Sequence, residues 1–257
     1  MTQDPRPEHR HLDAPPIVEV ACGFAFEPLD GFDVFHLGRF WGELADEYPG
    51  RQAQPAIGAA PLRPLDELQL RGWFESADRT NLVQLQHDRL ICNWRRGDSA
   101  YPRFRTRGDA VGLRDTSIAV YHQFRDYWQE RSGAPPALRV LELTKVDRFE
   151  RGVHWTTPED LAALALPLGF LSSTGMAVTE PRMDLYTEGS VRGVTTRVRW
   201  QTQITGPQTT AMLLTTTAQA PAPDAIADGL DRLDDIVDDL FFSYLTPRAL
   251  ALFGAQR

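Results

Sequence analysis

Residues Leu138 to Phe149 read LRVLELTKVDRF. The run is long, β-rich and apolar on both of its alternating faces, as a central strand covered on two sides would be. Upstream, Thr116 to Arg131 offers Ile118, Val120, Phe124, Tyr127 and Trp128 at helical spacing, and Gly133 with Pro135 and Pro136 stops that helix. Further back lies a meander of three expected strands, Leu68–Ser76, Leu82–Gln86 and Leu90–Arg95. Its turns fall at Ala77–Thr80 and His87–Arg89, where aspartates tolerate turn geometry. The first strand is Ile17 to Phe26. Asp30 and Gly31 break it, and a helix follows over Val34–Glu47 until Tyr48-Pro49-Gly50. Residues Arg51 to Pro64, with Pro55, Pro61 and Pro64, read as a loop.

Downstream, a short helix is expected over Pro158–Leu166 and a strand over Met176–Thr187. Val194 to Ile204 alternates most clearly. Val194, Val198, Trp200 and Ile204 share one face, and Arg197, Arg199, Gln201 and Gln203 share the other. Thr209–Ala220 reads as its antiparallel neighbour and Asp224–Tyr244 as a long final helix. The expected fold class is therefore α+β, mainly antiparallel sheet with helices packed on one face, in two related halves. The divisions are a disordered tail over 1–15, an N-terminal half over 16–150 and a C-terminal half over 151–257, with one continuous curved sheet as the alternative.

At 257 residues and 42% hydrophobic composition the chain is long enough to bury a substantial core. No run approaches the roughly 20 apolar residues of a membrane span, and Met1–Pro16 lacks the apolar stretch of a secretory signal. Cys22 and Cys92 read as buried free thiols, and a cytoplasmic location is expected. The net charge of −8 repels phosphate backbones and disfavours general nucleic-acid binding. Among 27 basic residues only Lys145 is a lysine, which looks like the codon bias of a GC-rich genome and weakens any argument from arginine geometry.

Four groups of residues define a further pattern: Pro15-Pro16-Ile17-Val18-Glu19-Val20; Leu82–Gln86 with Asp88-Arg89-Leu90 and Asn93-Trp94-Arg95; Glu142-Leu143-Thr144 with Asp147; and Leu230-Asp231 leading through Leu240-Phe241-Phe242 to Thr246, Phe253 and Gly254. In this order they resemble a sporadically distributed, TIGR-numbered family of bacterial proteins of unassigned activity, over about Pro15 to Gly254. The resemblance implies an accessory gene, of the mobile-element or defence-associated kind, and supplies no active site. The chain departs from the pattern at three positions. Asp234 stands where a histidine is expected, and Lys145 and Asp147 stand where Tyr and Asn are expected.

Candidate sites are of two kinds. Gln84, Gln86, Asn93 and Arg95, on adjacent meander strands, either line a polar pocket or form the solvent face of a sheet, and register decides between these. Asp147 and Arg197 complete that pocket set. Arg95, Arg96, Arg103, Arg105, Arg107 and Arg114, interleaved with Tyr101 and Phe104, suit an anion, a protein or single-stranded bases, or form an ordinary solvated loop. The Arg197/Arg199 stripe suits an acidic surface. The last helix carries Asp224, Asp228, Asp231, Asp234, Asp235, Asp238 and Asp239, opposed within it by Arg232 alone. Opposite them runs the apolar stripe Ile226, Leu230, Leu233, Val237, Leu240, Phe241 and Tyr244. That acidic side reads as solvated, or as docking to a basic partner or to the arginine stripe.

No zinc spacing, calcium loop, nucleophile elbow, phosphate loop or dinucleotide fingerprint is present in the sequence, so neither a cofactor nor a metal is expected. The expected function is a non-enzymatic interaction subunit or regulator, with another protein or a second copy of the chain as partner. A small-molecule binder or enzyme with a pocket between the halves is the alternative, and a nucleic-acid-contacting accessory protein the second alternative.

Overall fold

In the computed structural model, residues 12–58, 70–98, 101–106, 108–173 and 178–255 are described. The chain opens with β1 (Ile17–Phe26) and α1 (Val34–Leu44). Asp33 caps this helix, its carboxylate accepting from the N–H groups of Phe35 and His36. Next come β2 (Gly50–Pro55), β3 (Leu70–Glu75), β4 (Asn81–Gln86), β5 (Arg89–Arg95), α2 (Leu113–Ser132) and β6 (Leu138–Glu150). The rest comprises α3 (Pro158–Ala162), a 3-10 turn at Leu166–Leu168, α4 (Phe170–Ser173), β7 (Asp184–Val191), β8 (Val194–Thr205), β9 (Gln208–Pro221), α5 (Ile226–Tyr244) and α6 (Pro247–Leu252).

The nine strands form one sheet in the order β2-β3-β4-β5-β1-β6-β9-β8-β7, antiparallel throughout. The fold is α+β. Strands that precede α2 occupy one side of the β1–β6 junction and strands that follow it occupy the other. β6 is hydrogen-bonded to β1 along one edge and β9 along the other, so the sheet is continuous across residue 150.

All described helices pack against one face. Phe24 and Phe26 of β1 meet Tyr121 and Phe124 of α2, with ring centroids 4.7 and 5.5 Å apart, and Phe40 of α1 meets Phe124 edge-on at 5.2 Å. Leu143 of β6 and Leu230 and Leu233 of α5 join this cluster. A second cluster gathers Phe149, Trp200, Met212 and Leu214 from the sheet with Leu161, Leu168, Phe241 and Phe253. Leu240 packs against both. The helix α5 lies close on the sheet because Gly229 has no side chain: a Cβ there would sit 2.7 Å from Leu141 and 2.8 Å from the Pro223 ring.

Four expectations change. Residues 51–55 are not loop but the edge strand β2, and an edge tolerates Pro55 at the end of the ladder; the remainder of that expected loop, from 59, lies outside the described residues. The strand expected at Met176–Thr187 is β7, shifted to Asp184–Val191. Its hairpin turn is Arg192-Gly193, with φ of 51° and 75°, a primed turn built without the usual Asn or Asp. Third, β6 is not covered on two sides. Val140, Glu142, Thr144, Val146 and Arg148 are only half-buried on the face away from the helices. Finally, Leu12–Ala14 are held at the C-terminus. Leu12 is buried, and the N–H groups of Asp13 and Ala14 donate to the carbonyls of Gly254 and Phe253. Gly254 has φ of 68°, and a Cβ there would meet the Asp13 side chain at 2.9 Å. The tail before Leu12 lies outside the described residues.

Candidate functional site

The inner face of β6 runs Leu141, Leu143, Lys145, Asp147, Phe149, every one of them buried. Two charged residues thus occupy positions that alternation reserves for core side chains. Lys145 is 7% exposed and Asp147 5%. Both face a cavity of about 990 Å³. Asp234, Asp238, Phe241 and Phe242 of α5 wall it on one side, and Arg96–Asp98 with Tyr101 and Arg103–Thr106 on the other. Leu12–Ile17 and His154 complete the lining.

Local geometry makes this opening. The β1–β6 ladder is irregular between Ile17 and Glu19, next to Asp147, and such a bulge bends a strand away from regular pairing. Beyond β5 the chain is tied down at several points. Arg96 N–H donates to Val18 O at 2.8 Å and the Arg96 guanidinium to Pro15 O at 2.7 Å. The carbonyls of Arg103 and Phe104 accept from Leu113 and Arg114 at the start of α2. Arg103 itself has φ of 66°, an uncommon backbone for arginine.

On α5, Asp231, Asp234, Asp235 and Asp238 follow i, i+3, i+4, i+7 spacing and so share one side of the helix. They are not solvated as a set. Lys145 Nζ lies 2.6 Å from both Asp234 and Asp238. The Arg105 guanidinium lies 3.1 Å from Asp231, 3.4 Å from Asp234 and 2.5 Å from Asp235, and Arg114 is 2.7 Å from Asp231. Asp239 pairs with Arg192. The acidic helix therefore finds its cations within the chain, on the strand and loop it packs against. Asp228 makes no ion pair with a described residue, and Arg107 lies outside the described residues.

Burial works against the Lys145 charge, but Asp234 and Asp238 outweigh it and hold the ammonium protonated. Burial lifts the Asp234 carboxyl against the pull of Lys145 and Arg105, and Asp238 adds to the rise. Asp147 is pushed up to about 7. Burial is the main cause and Asp238 reinforces it, while Lys145 and Arg96 act the other way without reaching ion-pair distance. Asp147 has no hydrogen bond or ion pair with any described residue. The Tyr101 hydroxyl, also in the lining, is buried without a hydrogen-bond partner, and burial raises its pKa. His154 Nδ1 accepts from the Glu150 N–H at 2.7 Å, and burial lowers its pKa, so the ring is neutral.

The pocket set expected from sequence does not converge. Gln84, Gln86, Asn93 and Arg95 lie on the sheet face opposite the helices, with Asp147 on the other side. Gln84 donates to Asn93 at 2.6 Å, and Asn93 to Glu19 at 2.6 Å. Gln86, fully buried, binds Ile57 N–H at 2.8 Å and Asp88 at 2.6 Å, and Arg95 pairs with Glu75 at 2.9 Å. These four are structural. Arg197 and Arg199 lie on the same outer face and pair with Glu188 at 3.0 Å and Asp184 at 2.7 Å across the β7–β8 hairpin, not with α5. Of the basic stretch, Arg96, Arg103 and Arg105 do reach the cavity.

Sequence reasoning placed Tyr101 and Phe104 in an anion- or partner-binding stretch rather than a pocket, did not single out Lys145 or His154 as pocket residues, and read the side of the helix that bears Asp234 as solvated or as docking to a basic partner or to the Arg197/Arg199 stripe. Lys145 and Asp147 at i and i+2 inside an apolar alternation were the legible signal. Among the described residues no cluster of three or more His, Cys, Asp or Glu has the arrangement of a metal site, and no helix is long and apolar enough to cross a membrane. Comparison with family models, curated proteins and solved structures finds no match to this chain.

Proposed function

We propose that this protein binds a small polar molecule in the cavity between α5, the 96–106 segment and the β1–β6 junction, with Asp147 as the ionisable group that meets it. The observation that carries this reading is Asp147 itself: a 5%-exposed carboxyl with no partner among the described residues, opening on about 990 Å³ of space. An unpaired buried acceptor costs free energy unless something enters to pair with it. A site of this size with a few converging polar groups and a shifted carboxyl has the character of a ligand pocket.

Several parts of the sequence reading belong to this proposal. The strand orders β5-β1 and β9-β6, each half closing on the junction, are consistent with two related halves meeting beside the cavity. Membership of the resembled family and a cytoplasmic location are part of the same reading. The three positions at which the chain departs from that family's pattern, Lys145, Asp147 and Asp234, all border the cavity, which fits a ligand particular to this member. The reading as an interaction subunit draws less support. Of its charges, Arg95, Arg105, Arg197, Arg199, Asp231, Asp235 and Asp238 have intramolecular partners. A carboxyl that titrates near neutrality can also take or give a proton, the least that acid–base catalysis requires.

The test is a thermal-shift and native mass-spectrometry screen with a library of small amines, carboxylates, sugars and nucleosides. At least one compound is expected to raise Tm in a concentration-dependent way and to be retained one per chain, with both effects weakened in Asp147→Asn. A library that leaves Tm unmoved overturns the proposal.

A further inference from the structure

We propose that the occupant of this cavity is an organic cation, an amine with an apolar body, whose ammonium group pairs with Asp147 while its body lies against Tyr101, Phe104, Phe241 and Phe242. This rests on the pocket reading above and names the class of ligand.

Charge bookkeeping over every element around Asp147 points this way. On its own strand stands Lys145. On α5 stand Asp234 and Asp238. The 96–106 segment brings Arg96, Asp98, Tyr101, Arg103 and Arg105, the N-terminal segment brings Asp13, and His154 is neutral. Two of the nearby cations are already engaged by carboxylates, and a third by a backbone carbonyl. Lys145 is shared by two carboxylates at 2.6 Å, Arg105 is held by three aspartates, and the Arg96 guanidinium donates to Pro15 O. On the cavity floor Asp234 and Asp238 share Lys145, and Arg105 also reaches Asp234 at 3.4 Å, so Asp147 is the floor carboxyl left without an ion pair to a described residue. An entering anion would meet three carboxylates. An entering ammonium would relieve the repulsion between Asp147 and Asp238 and pair a buried carboxyl that has no partner among the described residues.

Aromatic rings supply the second half of the recognition. Lys145 Nζ already lies 5.7 Å from the Phe104 ring centroid, so ring faces in this cavity accept a cation. Tyr101 adds a further ring to the lining.

Because the ammonium needs the carboxylate, ligand and proton compete for Asp147. The raised affinity of Asp147 for a proton, to about 7, then sets the pH dependence. Binding weakens as pH falls through that value, and each ligand bound near neutrality releases about half a proton.

The experiment is calorimetric titration of the full chain with benzylammonium, benzoate and benzyl alcohol, three probes that share a ring and differ in charge. Benzylammonium is expected to bind, benzoate not to bind, and benzyl alcohol to bind more weakly. Affinity for the amine should rise about tenfold between pH 6 and pH 8, and heats in two buffers of different ionisation enthalpy should show the released proton. Asp147→Asn should lose the pH dependence and most of the preference for amine over alcohol. The proton release is read on the unaltered protein, so the test stands even where the variant folds poorly. Binding of benzoate in preference to the amine overturns the cation assignment and leaves the pocket reading in place. Amine binding with no proton release and a flat pH profile overturns the role of Asp147. Silence from all three probes overturns the cation assignment, and only silence across the wider library removes the pocket reading as well.

Discussion

Lys145 and Asp147 project from the same face of β6, two residues apart, and only one of them is paired. Lys145 lies 2.6 Å from two carboxylates of α5, whereas Asp147 has no ion pair or hydrogen bond with a described residue. The lysine therefore joins helix to sheet, and the aspartate is left facing the cavity.

Removing the lysine should be severe. Lys145→Met leaves Asp238 without its cation and Asp234 with the Arg105 guanidinium at 3.4 Å, and breaking a buried pair from one side typically costs about 3–5 kcal/mol. Adding Asp234→Leu to that variant should recover a large part of the loss, since an apolar replacement of both partners is often neutral. Urea unfolding of the single and double variants reads both effects, and equal stability of Lys145→Met and the unaltered protein would show the pair to be idle.

The pH dependence of stability carries a definite sign. Asp147 titrates at about 7 in the folded chain against 3.8 for an ordinary aspartate. Between those values the folded state holds a proton that the unfolded state has lost, so stability from this group is full below about pH 4 and is lost as pH rises through about 7. The slope is at most about 1.4 kcal/mol per pH unit. Asp147→Asn should flatten that part of the profile, and a carbon-detected NMR titration should show Asp147 ionising near neutrality.

Cys22 and Cys92 stand directly opposite one another across the β1–β5 ladder, and neither is in a disulfide. Burial pushes the Cys22 thiol up to about 12 and Cys92 well above its usual value. Thiolate is the reactive form. Iodoacetamide should therefore leave Cys22 unlabelled in the native chain, label the part-exposed Cys92 slowly at most because its thiol stays protonated, and label both in denaturant; rapid native labelling of Cys22, seen by mass spectrometry, contradicts its burial.

Gly229→Ala provides a test of helix–sheet contact whose sign opposes intrinsic preference. Helix propensity alone favours alanine by about 1 kcal/mol. The added Cβ would collide with Leu141 and Pro223 at 2.7–2.8 Å, and overpacking of this kind costs about 1–3 kcal/mol. Net destabilisation in urea is expected, and a stabilised variant would mean that α5 can lift from the sheet at little cost.

On the outer face, Arg197→Ala and Arg199→Ala should each change stability by less than about 1 kcal/mol, because their ion pairs with Glu188 and Asp184 are largely exposed. A larger loss, measured by thermal or urea unfolding, would give these hairpin pairs a weight that exposed ion pairs rarely carry.

Strand and helix identities were largely legible because burial imposes a period on each element. Val194, Val198 and Trp200 alternate and are buried; Val120, Phe124, Tyr127 and Trp128 recur at helical spacing and are buried. Where burial is weak the signal fades. The exposed edge strand Gly50–Pro55 has no apolar alternation to read, and β7, exposed along most of its length, was displaced by several residues. The aspartates of α5 misled for a related reason. A charged stripe looks the same whether water or a lysine neutralises it, and Asp234 is 4% exposed.

What the amino-acid sequence determined by itself was therefore periodic: the class of fold, the core faces of the long elements, and the presence of an acidic stripe opposite an apolar one. Tertiary structure alone decided which charges meet. Lys145 and Asp234 are far apart along the chain, and nothing local couples a strand position to a helix position. Only antiparallel pairing of β6 with β1 and β9, and the seating of α5 above them, brings those groups to one cavity and leaves Asp147 there without a partner among the described residues. Electrostatic energy depends on distance through space and on exclusion of water, and neither quantity is written in the order of residues.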